Sequence, residues 1–353
     1  MRQKNIDKLI SYLVVILLLS TILTGCGAKE KKYVLTTGFS KGEVFRVGES
    51  SCSVPEIMVY LTNLQNQYEE VYGDQIWETT IDGKSLSDNV KDVALSRIAQ
   101  VKTMALLAKQ QGITLDDREN DKVDNITDIY FDSLTSQEKS SMEIDRDIIH
   151  SLYEEYALAT KVYESIIRDV NPEISDDEAR TITVSHIFIK TYNYDDDGNK
   201  VGYNSERRNE AKQLAEEIRQ RIVDGEDFEV LAKEYSNDEE VTISFGKGEK
   251  DKEFETAAFE LGTDELSEVV ETEFGYQIIK CLSTFNREVT DDNKIKIVEK
   301  RKQEVFSEEY EEFANGLTKG VNEELWDSIE FVHGANITTH NFFEIFDENY
   351  KNQ

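Results

Sequence analysis

Proline is nearly absent from this sequence: Pro55 and Pro172 are the only two in 353 residues. Helical patterns can therefore run long and unbroken, and a turn-rich β-sandwich is disfavoured. Cysteine is almost as scarce. Cys26, Cys52 and Cys281 are too few for a disulfide framework, and Cys52 and Cys281 read as ordinary unpaired positions, although an oxidising compartment would permit their pairing. The four histidines, His150, His186, His333 and His340, are not adjacent in sequence, so no metal centre and no cofactor is expected. There is no Gly-rich phosphate loop ending in Lys-Ser/Thr, no Gly-x-Ser-x-Gly, no His-Glu-x-x-His and no Cys-x-x-Cys. Nucleophilic hydrolysis and metal catalysis therefore have no motif behind them. Positive charge is short too, with Lys+Arg 40 against Asp+Glu 72 and a net charge of −32. A field of that sign repels phosphate backbones and excludes nucleic acid as a partner.

What is present is enough to fold. Hydrophobic residues make up 39% and aromatics 10%, which supports two or three domains with real cores. Arg2, Lys4 and Lys8 precede an apolar stretch over 9–23, the charged and hydrophobic regions of a signal peptide, too short to span a membrane convincingly. It ends in Leu23-Thr24-Gly25-Cys26, which resembles the bacterial lipobox. That resemblance implies removal of residues 1–25, a diacylglycerol on Cys26 and a lipid-anchored location on the extracytoplasmic face. Residues 26–52 then read as a lipidated tether with one small strand.

Residues 53–172 read as helical. Ser53-Val54-Pro55-Glu56 matches a capping box with proline in the first turn, and a helix to about Tyr72 follows. Further helices are expected from Ser85 to Gly112, over 114–133 and over 137–170, before Asn171-Pro172 ends the block. Residues 173–285 are mixed: a β-branched strand through His186, an acidic loop over 193–204, three helices and a closing strand through Ile278. Residues 286–353 return to helix, with a strand-like segment around 325–329 and a frayed last twenty residues. The fold class is α+β.

The central block resembles the parvulin family of peptidyl-prolyl isomerases. Val184-Ser185-His186-Ile187-Phe188-Ile189 looks like the family's first strand with its signature histidine. Asp227-Phe228 through Tyr235-Ser236 looks like its Leu-Ala-x-x-Tyr-Ser helix, Phe254 to Leu261 like its Phe-x-x-Ala-x-Phe-x-Leu helix, and Gly275-Tyr276 like its closing turn. With a lipobox ahead and helices on both sides, the whole chain resembles the PrsA foldase lipoproteins of Gram-positive bacteria, a parvulin-like domain inserted between SurA/PrsA-like chaperone segments that pack together.

The resemblance implies site roles residue by residue. Phe254 and Phe245 fall on aromatic walls of the proline pocket, His186 on one of two clustered histidines, Asp238 beside the twisting carbonyl and Thr272 on a supporting hydroxyl. This chain departs from the pattern in its cleft. Gln277 stands at the second histidine, Lys250 at a pocket methionine, Asp251 at that methionine's polar neighbour, and Glu240-Val241-Thr242-Ile243-Ser244 replaces a Gly-rich turn. Methionine at 250 is expected to restore more activity than histidine at 277, because proline binding is apolar. Two functions remain open: a peptidyl-prolyl isomerase acting on X–Pro bonds of unfolded secreted proteins, or a non-catalytic holdase that keeps the fold.

Overall fold

The computed structural model describes residues 38–81 and 83–351. The lipobox, with Cys26, lies outside them. No helix among the described residues is long and apolar enough to cross a membrane. The chain forms two units, one ending at Asp169 and resuming at Glu304, the other Val170–Gln303.

The first unit opens with strands β1 (Glu43–Val47) and β2 (Ser50–Ser53). Ser53 then starts helix α1 (Val54–Tyr72); its backbone N–H and hydroxyl both reach the Glu56 carboxylate, at 2.7 and 2.6 Å, as the capping-box spacing predicts. After the short pair β3 (Thr80–Ile81) and β4 (Lys84–Ser85) come α2 (Leu86–Gln110), α3 (Asp117–Ser133), α4 (Ser136–Ser141) and α5 (Arg146–Ile167). One helix over 137–170 was expected, and two are found. Glu143 between them adopts φ +54°, and Asp145 caps α5 by accepting from the Ile148 N–H at 2.9 Å.

The second unit contains β5 (Thr181–Lys190), β6 (Tyr192–Tyr194), β7 (Lys200–Gly202), α6 (Ser205–Val223), α7 (Phe228–Tyr235), β8 (Thr242–Gly246), α8 (Lys252–Glu260), β9 (Val270–Thr272) and β10 (Gly275–Ser283). Here the acidic segment expected as a loop folds back on itself as the β6–β7 hairpin, closed where Asp195 accepts from the Asp197 and Asn199 N–H groups. Four strands make an antiparallel sheet in the order β8-β5-β10-β9. Its two faces follow from the period-2 alternation of β5. Ile187 and Ile189 pack with Ala211, Ala215, Ile218 and Leu231 beneath α6 and α7, whereas Ile182 and Val184 pack with Phe245, Phe254 and Ala258 beneath α8. Gly275 is required where β10 meets β5, because a Cβ there would lie 2.2 Å from the Ile189 carbonyl oxygen.

Helix α9 (Arg287–Asn315) carries the chain back to the first unit, which is completed by β11 (Lys319–Val321), α10 (Glu323–Asp327) and α11 (Phe342–Phe346). β11 pairs with β1 in a three-stranded sheet, Phe45 opposite Val321. The segment around 325–329, expected as strand-like, is a helical turn instead: the Asn322 side chain caps it and Trp326 is buried. The final segment is not frayed. Phe342, Phe343, Ile345, Phe346 and Tyr350 are buried in the core formed by α1, α3 and α5, so apolar burial orders a stretch whose polar composition suggests otherwise.

Candidate functional site

The candidate site lies on the α8-facing side of the four-stranded sheet. Register explains how it assembles. On β10, Gln277 sits opposite Phe188 and Ile279 opposite His186, so His186 and Gln277 are diagonal neighbours on one face, within reach of long side chains. On β8, Phe245 pairs with Ile182. Phe254 comes down from the first turn of α8.

His186 is held at both ring nitrogens. Nδ1 lies 3.0 Å from Gln277 Oε1, and Nε2 lies 3.1 Å from the Glu240 carbonyl oxygen. A carbonyl oxygen only accepts, so Nε2 carries a hydrogen. In a neutral ring, Nδ1 then carries no hydrogen, and Gln277 donates to it only with its amide NH2, rather than Oε1, turned to the ring. In the imidazolium, both nitrogens donate, and the Asp238 carboxylate 3.9 Å from Nε2 faces the charge. Gln277 thus orients the ring without titrating. Both residues are buried, whereas the Asp238 carboxyl is about half exposed. Asp238 is positioned by Ser236, whose hydroxyl accepts from the Asp238 and Phe188 N–H groups, each at 3.2 Å.

The apolar side of the cleft is a run of rings. Phe254 meets His186 edge-on at 5.6 Å, Phe245 lies 5.6 Å from Phe254, and Phe259 packs edge-on to Phe245 at 5.8 Å. His186, Gln277, Phe245 and Phe254 are therefore in one contact set, with Asp238 at its edge. Thr272 is buried, but its hydroxyl donates to the Gly275 carbonyl at 3.1 Å and accepts from the Phe274 N–H, which closes the turn rather than reaching the histidine. Lys250 stands exposed in the turn before α8. The replaced Gly-rich turn has its own part here, since the Glu240 carbonyl is the acceptor for Nε2. Sequence reading missed Phe188, which is buried on the same face between His186 and the end of β5; alternation from His186 would have found it.

A ring wall beside a buried, oriented imidazole, with the Ser236 hydroxyl engaged by the Asp238 and Phe188 N–H groups, suits a reaction that changes only a torsion. Rotation about X–Pro is such a reaction, with a barrier of about 18–20 kcal/mol.

The Rotamase family, described as the PPIC-type PPIASE domain, matches residues 186–283. The foldase protein PrsA of Caldanaerobacter subterraneus subsp. tengcongensis is 28% identical over 251 residues, covering 68% of this chain and 74% of that protein. Its namesake from Clostridium acetobutylicum is 25% identical over 306 residues, covering 77% and 83%. Over a shorter span of 89 residues, 24% of this chain and 30% of that protein, the PrsA of Bacillus subtilis is 44% identical. Among solved structures, PrsA from Bacillus cereus aligns at 22% identity over 75% of this chain and 96% of that one, with a TM-score of 0.37. The chain is PrsA-like and carries a parvulin domain of the PPIC type.

Proposed function

We propose that the chain is an extracytoplasmic foldase that assists unfolded secreted proteins and rotates their X–Pro bonds in the cleft of the central unit. The observation that carries this reading is the buried His186–Gln277 pair set against the Phe254 ring. The proline ring packs on Phe254 and Phe245. The polar side, His186 with Asp238 at its edge, faces the amide as it twists, so the site favours the rotated amide over either planar form. Lipid on Cys26 tethers the molecule to the cell membrane of a Gram-positive bacterium. The helical unit supplies a surface for unfolded client chains.

A second reading is a holdase without isomerase activity, favoured by Gln277 at the second histidine position and by exposed Lys250. NMR exchange of an X–Pro peptide with the full chain separates the two. Accelerated cis/trans exchange that Phe254→Ala abolishes supports the isomerase. Exchange at the uncatalysed rate, with aggregation of an unfolded client still suppressed, supports the holdase.

A further inference from the structure

Strand β8 covers only the first half of β5, from Thr181 opposite Gly246 to Ser185 opposite Thr242. Along the second half, alternate β5 N–H groups face the same edge, and the loop that joins α7 to β8 meets them one by one. The His186 N–H donates to the Val241 carbonyl at 2.8 Å, the Phe188 N–H to Ser236 Oγ at 3.2 Å and the Lys190 N–H to Asn237 Oδ1 at 2.9 Å. One bond runs the other way, from the Asn237 N–H to the Phe188 carbonyl at 2.8 Å. Two side chains thus stand where the carbonyls of a neighbouring strand would.

Val241 and Asn237 therefore pin the loop to β5 at two points. Between the pins β5 contributes one residue, Ile187, whereas the loop contributes three, Asp238, Glu239 and Glu240. The surplus cannot lie flat along the strand. It bows out as a β-bulge does, and a bulge re-aims the groups it carries. Here it carries the polar wall of the cleft: the Glu240 carbonyl lies 3.1 Å and the Asp238 carboxylate 3.9 Å from the same atom, His186 Nε2. Both groups converge on one nitrogen because both ends of the surplus are fixed. Releasing Asn237 from Phe188 and Lys190 frees one end, and the surplus can then spread along the edge of the sheet.

We propose that Asn237 is a positioning residue of the isomerase site: by clipping Phe188 and Lys190 it holds the bulge that aims Asp238 and Glu240 at His186. This rests on the isomerase reading above and adds the residue on which the geometry of the polar wall depends. The chemistry of the clip is specific. The Lys190 N–H needs an acceptor, which an aspartate at 237 still offers and an alanine does not. Because Asn237 is exposed, its truncation empties no core, and an effect on catalysis is separable from unfolding.

The test compares Asn237→Ala and Asn237→Asp with the parent, each as the full chain. NMR exchange of one X–Pro peptide over a range of concentrations gives kcat and KM. The imidazole N–H resonance of His186, identified by its loss in His186→Asn, reports the contact with Glu240. Asn237→Ala should lower kcat roughly tenfold, since small misplacements of reacting groups act on that scale. KM should move less than about twofold, because Phe254 and Phe245 still hold the proline ring. The His186 resonance should shift or vanish as the Glu240 carbonyl leaves Nε2. Asn237→Asp should return both readouts close to the parent. Parent kcat and parent resonance in Asn237→Ala, even with a lowered Tm, overturn the proposal, and so does an aspartate variant as impaired as the alanine one. If the parent itself does not accelerate exchange, the isomerase reading fails by itself, and the resonance alone judges the clip. A shift in Asn237→Ala that Asn237→Asp reverses then supports it, and coincident spectra overturn it.

Discussion

Tyr153 and Phe342, 189 residues apart in the chain, stack with ring centroids 4.3 Å apart and planes 7° from parallel. The Tyr153 hydroxyl donates to the Phe342 carbonyl at 2.9 Å. Asn63 fixes the same residue from α1 by accepting from the Phe342 N–H at 3.0 Å while it donates to the Tyr130 hydroxyl. The end of the described chain is thus a structural member of the first unit's core.

Phe342→Ala should lower the stability of that unit by about 3–5 kcal/mol, the usual range for emptying a buried phenylalanine site. Urea unfolding followed by tyrosine and tryptophan fluorescence measures it. A loss under about 1 kcal/mol would show that the tail is dispensable.

The exposed position of Lys250 reverses the order expected from sequence. Gln277→His should raise kcat/KM several-fold by changing what holds His186, whereas Lys250→Met should change it less than twofold, because an exposed side chain has little apolar surface to bury. NMR exchange rates of one X–Pro peptide decide between the two orders, and a larger gain from Lys250→Met would place that side chain in the pocket after all.

Lys102 is a buried cation in the first unit, 2.7 Å from Glu56 and 2.9 Å from Glu155. Burial works against its charge, but Glu155 and Glu56 outweigh that and raise its pKa above the ordinary value. The pair therefore stabilises the fold below the unfolded lysine pKa and is lost only as pH rises through the folded one. Glu155 is pushed up by burial, with Lys102 offsetting part of the shift. A carboxyl with a raised folded pKa favours the fold when protonated, so its penalty grows as pH rises through that range. Lys102→Met should cost roughly 3–5 kcal/mol at neutral pH, and the gap in Tm from the parent should narrow between pH 7 and pH 4.5 as Glu155 protonates. A gap of constant size across that range would refute the assignment.

Cys26→Ser should move the protein out of the membrane fraction or leave its precursor uncut. Unchanged processing and sedimentation in that variant would remove the lipid anchor.

Local signals carried much of this fold. The Ser53–Glu56 box, the Asn171-Pro172 stop and the apolar stripes of α1, α2 and α6 are short-range patterns, and so is the β-branched run around His186. Each is decided by neighbours within a turn or a strand, which a sequence displays directly. The parvulin motifs likewise place His186, Phe245, Phe254 and Gln277, because their spacing along three strands and one helix is itself a sequence property. What sequence order could not convey was pairing across distance. The burial of Phe342 and Phe346 depends on Tyr153, Tyr130 and Tyr60 meeting them from other helices, so polar flanking residues made the tail look frayed. Thr272 was diverted to a turn carbonyl, Lys250 was turned to solvent and the Glu240 carbonyl was brought to the imidazole by register and loop closure, none of which leaves a trace in residue type. The acidic run at 195–197 sits in a hairpin whose base is held where Thr191 meets Phe274 and Tyr203. Composition and periodicity determined the elements. Long-range packing decided which side chains gather around His186.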